Sequence, residues 1–312
     1  MRDIAGLRPI ATLVGVVAAI TAFTGCAAEQ ATQAGALKEC GDCPEMVLIA
    51  PGEFDMGRDG GEPGRYDGPV RTVTIAQPYY LSATEVTQAQ FGKFVDATGH
   101  VPVDGCNVFA NGKWGWADWA DWQNPGLPDA PKPSDPVVCV SWDDATAYVG
   151  WLAETTGQPY RLPTEAEWEF AARAGTQSEF AWEGSAEGGC EMANMFDAQG
   201  RQGLPDAPWP EAACDDGHPA ESPVASMKPN ALGLYDILGN VWEWTQDCYV
   251  LPYPGDAPSD GSSVEVEGEC ERRTVRGGSW ETRPTRLVPA FRGRDAPAAG
   301  FRTFGIRVAR SA

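Results

Sequence analysis

Residues 229–247 combine acidic side chains with a backbone that glycines interrupt. Asp236 and Glu243 supply carboxylate oxygens, and a bend at Gly239 would aim nearby carbonyl groups at the same point. Oxygen ligands of this kind suit a hard cation such as calcium. They also suit a buried turn in which the carboxylates cap neighbouring amides. The spacing alone leaves both interpretations open, a metal loop and a capped turn.

The chain contains nine cysteines, which is an odd number. If Cys26 is lipidated, eight remain, and pairing between sequence neighbours closes the shortest loops. Cys40 and Cys43 also have the spacing of a redox pair, but no helix is predicted to follow them, so a structural bridge is preferred. The predicted disulfides are Cys40–Cys43, Cys106–Cys139, Cys190–Cys214 and Cys248–Cys270.

The first 25 residues predict a lipoprotein-type signal peptide. The apolar run 10–23 is too short to span a bilayer comfortably, and residues 23–26 (FTGC) are similar to a bacterial lipobox with Phe in place of Leu. Cys26 would then be lipidated, residues 26–39 would form a tether, and residues 40–311 the folded domain. The alternative is an ordinary secretory peptide. We expect an exported protein, lipid-anchored in the bacterial cell envelope on the periplasmic or outer surface, where disulfides are stable.

Composition predicts a loop-rich globule with acidic surfaces. The 312 residues include 36 glycines and 26 prolines, too many for a helix-rich protein, while 12 tryptophans supply core volume. The formal net charge of −21 argues against a nucleic-acid partner and against an anionic membrane surface. The membrane would be contacted only through the lipid anchor, and a monomer is expected.

Local patterns predict few helices and short strands. Thr87 with Gln90 and Thr164 with Glu167 have capping-box spacing, so helices should begin there and end near Gly99 and Gly175. Another helix is expected over 143–156, and residues 99–135 should form a long excursion without regular structure. The predicted strands are 46–49, 54–56, 70–75, 79–82, 274–276 and 306–309.

Six ordered motifs resemble those of the sulfatase-modifying-factor family, whose founding member is the formylglycine-generating enzyme. The resemblance implies the mixed α/β formylglycine-generating-enzyme fold with low regular content, which is related to C-type lectin-like folds. The motifs are residues 45–57 (EMVLIAPGEFDMG), 85–87 (EVT), 161–169 (RLPTEAEWE), 233–244 (GLYDILGNVWEW), 276–280 (RGGSW) and 305–310 (GIRVAR).

Two calcium sites are implied by this resemblance. Side-chain oxygens and backbone carbonyls would share the coordination, which suits a hard cation. Turn-forming Asn and Asp residues are the alternative interpretation of the second site, and there Asp215 could replace Asp216. The first site would use Asp236, Gly239, Val241 and Glu243, and the second Asn194, Met195, Asp216 and His218.

Copper chemistry is not expected. Formylglycine-generating enzymes bind copper through two cysteines that follow the GGS motif, and Thr282 and Leu287 stand at those positions here. Cu(I) needs soft thiolate ligands, which neither residue provides. Iron is also not expected, because a two-His-one-carboxylate site would need both His100 and His218. Ser279 lacks the context of a hydrolase nucleophile.

Ten of the eighteen arginines fall between Arg272 and Arg310. Most of them are expected to pair with buried carboxylates such as Glu165, Glu167 or Glu243, while Arg283 and Arg286 should line the family's cleft. The first hypothesis is a calcium-stabilised binding or accessory module for a peptide, glycan or protein ligand. The second is a divergent oxidoreductase acting on a peptide or amino-acid-derived substrate. The catalytic residues stay unassigned, and the expected cleft residues are Trp242, Ser279, Trp280, Glu281, Thr282, Arg283 and Arg286.

Overall fold

Short strands and four helices form the regular structure, which the computed structural model describes over residues 37–62, 65–182, 184–251 and 253–312. The predicted signal peptide, Cys26 and most of the tether lie outside these residues. The helices are α1 (Gln88–Thr98), α2 (Trp142–Thr156), α3 (Glu165–Arg173) and α4 (Ala198–Gly203). The strands are β1 (Met46–Ile49), β2 (Gly52–Met56), β3 (Gly61–Glu62), β4 (Arg65–Tyr66), β5 (Arg71–Ile75), β6 (Tyr79–Ser82), β7 (Cys106–Ala110), β8 (Lys113–Ala117), β9 (Tyr160–Arg161), β10 (Trp242–Cys248), β11 (Arg273–Arg276), β12 (Gly293–Asp295), β13 (Phe304–Gly305) and β14 (Ala309–Ser311).

Two four-stranded sheets organise these elements. The first has the order β1-β6-β14-β9, with antiparallel neighbours throughout, and joins the two ends of the domain. The second has the order β12-β11-β10-β13, in which only the β10–β13 pair is parallel. Three two-stranded pairs complete the strands: β2–β5, β3–β4 and β7–β8. The structure is therefore mixed α/β with low regular content, as predicted.

Helix starts follow the local sequence signals. Thr87 caps α1 through a capping box with Gln90, and Thr164 caps α3 through one with Glu167, as predicted. The helix α3 ends at Arg173, and its C-cap residue Ala174 takes the left-handed conformation (φ 45°), one residue before the predicted stop at Gly175. Within the described residues, no helix combines the length and the apolar character needed to cross a bilayer.

Three predicted loop or strand assignments were wrong. Residues 99–135 contain the β7–β8 hairpin. Phe109 of β7 is buried, whereas Trp114 and Trp116 of β8 are exposed. No strand was predicted within residues 229–247, but β10 begins there at Trp242; it shows no alternation because nearly every residue in it is buried. The predicted strand 306–309 is irregular at 306–308, and pairing resumes only in β14.

All four predicted disulfides are present, and two of them, Cys106–Cys139 and Cys248–Cys270, connect a loop to a strand. The bridges Cys40–Cys43, Cys106–Cys139, Cys190–Cys214 and Cys248–Cys270 pair sequence neighbours, with separations of 3 to 33 residues. Cys106 and Cys139 are fully buried and tie β7 to the chain before α2.

Candidate ligand-binding cleft and metal loops

A cavity of about 300 Å³ lies beside the second sheet. Strand β10 contributes Trp242, β12 contributes Arg294 and Asp295, and the chain after β11 contributes Ser279 and the residues that follow it. Distant segments add Arg65 from β4 and Trp114 from β8. Of the seven predicted cleft residues, six line the cavity: Trp242, Ser279, Glu281, Thr282, Arg283 and Arg286.

A tight turn positions Ser279 and Thr282. The Thr282 hydroxyl accepts the Ser279 N–H at 3.0 Å, and the two hydroxyls are hydrogen-bonded at 3.0 Å. Gly278 precedes the turn with φ +82°, and a Cβ built there would lie 2.4 Å from Leu287 Cδ2 and 3.7 Å from Thr282 Cγ2. The side chains of Thr282 and Leu287 therefore converge on one glycine.

The structure places Trp280 outside the cleft. Its indole is 2% exposed and belongs to an apolar cluster with Phe109, Phe196 and Leu204. The backbone N–H of Trp280 donates to Asn240 O, and this anchors the turn with the side chain directed into the core. The cleft hypothesis was therefore wrong about the location of this side chain.

Aromatic rings form a continuous wall along the cleft. Trp114 and Phe301 are 5.5 Å apart between ring centroids, Phe301 and Phe304 are stacked at 4.4 Å, and Phe304 and Trp242 are 6.5 Å apart. Such a wall can pack against a flat apolar group of a ligand. Sequence reasoning found Trp242 only, because the other rings come from distant segments.

Glu281 is the buried acid of the cleft. It is 3% exposed and forms an ion pair with Arg302, which packs over the Trp280 ring. Burial raises the pKa of Glu281 to about 7, although the Arg302 guanidinium acts in the opposite direction. This carboxyl group therefore titrates near neutral pH.

The first predicted calcium loop contains an orphaned oxygen. Asp236 is 1% exposed; its Oδ2 accepts the Ala225 N–H at 2.6 Å, whereas its Oδ1 has no hydrogen-bond partner among the described residues. Burial raises the pKa of Asp236 to about 6. The Glu243 carboxylate accepts hydrogen bonds from Arg307 and Trp168, so its charge is already shared. The free Oδ1 of Asp236 is thus an oxygen donor of the type a hard cation prefers, whereas both oxygens of Glu243 already accept hydrogen bonds.

Glu85 adds a buried acid that sequence reasoning missed. It is fully buried, Oε1 accepts Asn240 Nδ2 at 3.1 Å, and Oε2 has no partner in the described part of the chain. Burial and the nearby Asp236 raise the pKa of Glu85 well above its ordinary value. Its position in the EVT motif, directly before the buried Val86, was the available signal.

The second predicted calcium loop lies directly against the first. The Asn194 carbonyl accepts the Asn240 N–H at 2.8 Å, while Asn194 Oδ1 is buried without a partner within the described ranges. Asp216 accepts the backbone N–H groups of Met195 at 2.7 Å and His218 at 2.8 Å. Burial raises the pKa of Asp216 to about 7. Both oxygens of Asp216 thus accept backbone N–H groups, as in the alternative turn interpretation, whereas the exposed Asp215 contacts Gln199.

The two predicted loops approach each other closely at Gly239. A Cβ built on Gly239 would lie 2.2 Å from Asn194 O, and its φ is +85°, so this position tolerates only glycine. Asp236 Oδ1 and Asn194 Oδ1 are buried without partners among the described residues, and they are oxygen donors of the type that calcium prefers.

The donors for soft or borderline metals are separated. His100 Nε2 lies 2.7 Å from Asp144 at the start of α2, whereas His218 belongs to the second predicted calcium loop. Within the described residues, the one compact cluster of His, Cys, Asp and Glu donors consists of Cys248, Glu265 and Cys270. Its two cysteines are bonded to each other, so it does not offer thiolates.

Comparison with known proteins decides the family. Residues 31–312 match the sulfatase-modifying factor enzyme 1-like domain. The chain belongs to the sulfatase-modifying-factor family. The formylglycine-generating enzyme of Streptomyces coelicolor is 34% identical over 299 residues, covering 86% of this chain and 89% of that protein.

Other members of the sulfatase-modifying-factor family are also similar. The inactive C-alpha-formylglycine-generating enzyme 2 of Bos taurus is 31% identical over 267 residues, covering 77% of each chain. The structure of PvdO from Pseudomonas aeruginosa superimposes with a TM-score of 0.74 at 34% identity, covering 90% of this chain and 99% of that one. Since one relative is described as an enzyme and another as inactive, family membership does not settle activity.

Proposed function

We propose that this chain is an exported, lipid-anchored family member that binds a ligand in its cleft and lacks copper-dependent formylglycine-generating activity. The observation that carries the proposal is the chemistry of the turn after Gly278. Thr282 and Leu287 converge there and supply a hydroxyl and methyl groups rather than two thiols. A hydroxyl does not replace a thiolate as a Cu(I) ligand.

The remaining cysteines support the same conclusion. All eight cysteines of the described residues are disulfide-bonded, and none of them lines the cleft. A disulfide sulfur is not a thiolate, so these residues do not substitute for the missing pair.

The cleft itself has the composition of a binding site. Its volume of about 300 Å³ is at the lower end for small-molecule pockets, and an aromatic wall is combined with a few polar groups. Calcium in the loops around Asp236 and Asn194 would neutralise buried acids and fix β10, which carries Trp242. Export and lipid anchoring rest on the sequence of residues 1–39.

A second candidate is a divergent oxidoreductase that acts on a peptide or amino-acid-derived substrate. The observation in its favour is Glu281, a buried carboxyl group that lines the cleft and has a pKa of about 7. A group of that pKa can accept or donate a proton at neutral pH. The oxidoreductase would require a bound redox metal, whereas the binding module would not.

Elemental analysis of natively purified protein distinguishes them. We expect calcium and no stoichiometric copper or iron; a stoichiometric redox metal would contradict the binding-module proposal. A matched variant combines Thr282→Cys with Leu287→Cys. In competition with a Cu(I) chelator, this double variant should bind Cu(I), whereas the wild type should not.

A further inference from the structure

The cleft contains more positive than negative side chains, although the chain as a whole has a net charge of −21. Four arginines and two carboxylates line it. One of the carboxylates, Glu281, is already paired with Arg302 and therefore does not offset the other arginines. The four arginines are Arg65, Arg283, Arg286 and Arg294, and the second carboxylate is Asp295.

Glu62 supplies an internal counter-ion to this cluster. Its carboxylate receives both Nε and Nη2 of Arg286, with Nε to Oε1 at 2.9 Å, and Arg283 lies 3.7 Å away. Contact with Arg286 lowers the pKa of Glu62. Side-chain exposures of 30% for Glu62 and 22% for Arg286 keep this pair in contact with water. Partly exposed ion pairs are weak, so another anion can compete with Glu62.

Two of the arginines have no carboxylate partner of their own. Among the described residues, no acid lies within ion-pair distance of Arg65 or Arg294, and Arg294 Nη1 is buried without a hydrogen-bond partner. Burial, together with repulsion from Arg286 and Arg294, lowers the pKa of Arg65. An anion placed among these three guanidinium groups would relieve their mutual repulsion.

Phe291 places this cationic cluster next to the aromatic wall. The guanidinium groups of Arg65 and Arg286 lie 5.6 Å and 5.2 Å from the centroid of its ring. The same ring is 5.9 Å from Trp242, which belongs to the wall. A ligand that meets the arginines with an anionic group can therefore meet the wall with a flat apolar group.

We infer that the cleft selects an organic anion whose charged group lies among Arg65, Arg286 and Arg294 while a flat apolar body packs along the aromatic wall. The Glu62 carboxylate competes with that charged group for Arg286. This inference rests on the proposed function, because it names the ligand class of the same cleft.

Two probes of matched shape test the inference. Indole-3-acetate and indole-3-acetamide share the flat ring and differ in charge, and their affinities can be measured by calorimetry at low salt. We expect the acid to bind about tenfold more tightly than the amide, the difference that one charge-assisted contact provides. Acetate alone should bind more weakly than either probe.

Two substitutions should change the affinity for the acid in opposite directions. Arg286→Ala should weaken binding of the acid about tenfold and leave the amide unchanged, whereas Glu62→Gln should tighten binding of the acid. Loss of folding cannot produce that increase. Lys93→Ala removes an exposed cation from α1, which does not line the cleft, and should change neither affinity.

Equal affinities of the two probes, or an Arg286→Ala variant that binds the acid normally, would overturn the inference. Absence of binding by both probes would also overturn it. None of these outcomes changes the metal content or the Cu(I) competition on which the proposed function is tested, so the two failures are distinguishable.

Discussion

Arginines near the end of this chain fall into two regions with opposite charge balance. In the core, Arg276 contacts Glu165 and Glu169, and Arg307 contacts Glu243; all of these side chains are almost completely buried. In the cleft, Arg286 shares the partly exposed Glu62 with Arg283. The two regions therefore differ in the carboxylates available to their arginines. The core arginines have buried carboxylate partners, whereas the cleft arginines Arg283 and Arg286 share one partly exposed carboxylate.

The core arginines also satisfy backbone groups. Arg276 donates to the carbonyls of Pro289, Ala290 and Phe291, and Arg307 donates to those of Ser82 and Tyr235. Irregular segments leave carbonyls without strand partners, and a guanidinium group with five donors supplies what they lack. This explains how a protein with little regular structure maintains a dense core.

The largest expected effect is the loss of a core arginine. Arg276→Met leaves Glu165 and Glu169 with one buried cation fewer, and it should lower the free energy of unfolding by about 3–5 kcal/mol. Urea unfolding of the variant and the wild type measures the difference. A loss below about 1 kcal/mol would show that core and cleft arginines are energetically alike.

Calcium removal should have the next largest effect. The buried acids Glu85 and Asp236 exceed the arginines around them, and a bound cation would balance them. With free calcium at 100 times its dissociation constant, binding stabilises the fold by about 2.7 kcal/mol per site. Chelation should lower the melting temperature, and Asp236→Ala should reduce this response. An unchanged transition after chelation would count against structural calcium.

Stability of the calcium-free protein should rise as the pH falls from about 8 to about 5. Burial raises the pKa of Glu281 and of Asp247 to about 7, so the folded state holds protons that the unfolded chain has released. We expect a gain on the order of 1 kcal/mol per group. Glu165, whose pKa is lowered, titrates below this window.

Urea unfolding at several pH values measures this dependence. Glu281→Gln should reduce the slope, because one of the buried carboxyl groups that titrate in this range is then absent. A fold that loses stability between pH 8 and pH 6 would contradict the charge balance described for the core.

The smallest effect on stability is expected from the cleft. Arg286→Ala breaks a partly exposed pair and should change the free energy of unfolding by less than about 1 kcal/mol. Thermal unfolding beside Arg276→Met provides the direct comparison. A loss as large as that of Arg276→Met would assign Arg286 to the structural set.

Sequence reasoning succeeded where the determining contacts are local. Capping boxes at Thr87 and Thr164 gave two helix starts, because the cap and its partner are three residues apart. The disulfides followed from short loop closure. Pairing of the late arginines with buried acids was expected from charge, and Arg307 pairs with Glu243 in this way. Glu167 pairs instead with Arg161, which lies outside the late arginine cluster.

Long-range placement could not be predicted in the same way. Arg65 reaches the cleft from a hairpin more than 200 residues before Arg286, and only the fold brings them to the shared ring of Phe291. The strand β10 was missed because burial on both faces removes the period-two pattern. Trp280 was misplaced because the direction of a turn residue depends on the whole turn.

We propose that the turn after Gly278, with Thr282 and Leu287, does not support copper-dependent formylglycine formation. Incubation of the calcium-loaded protein with Cu(I), oxygen and a sulfatase-type cysteine peptide tests it most directly, with the Streptomyces coelicolor relative as a parallel reaction. Mass spectrometry of the peptide should show no aldehyde from this protein. Clear conversion of the cysteine to formylglycine would contradict the account.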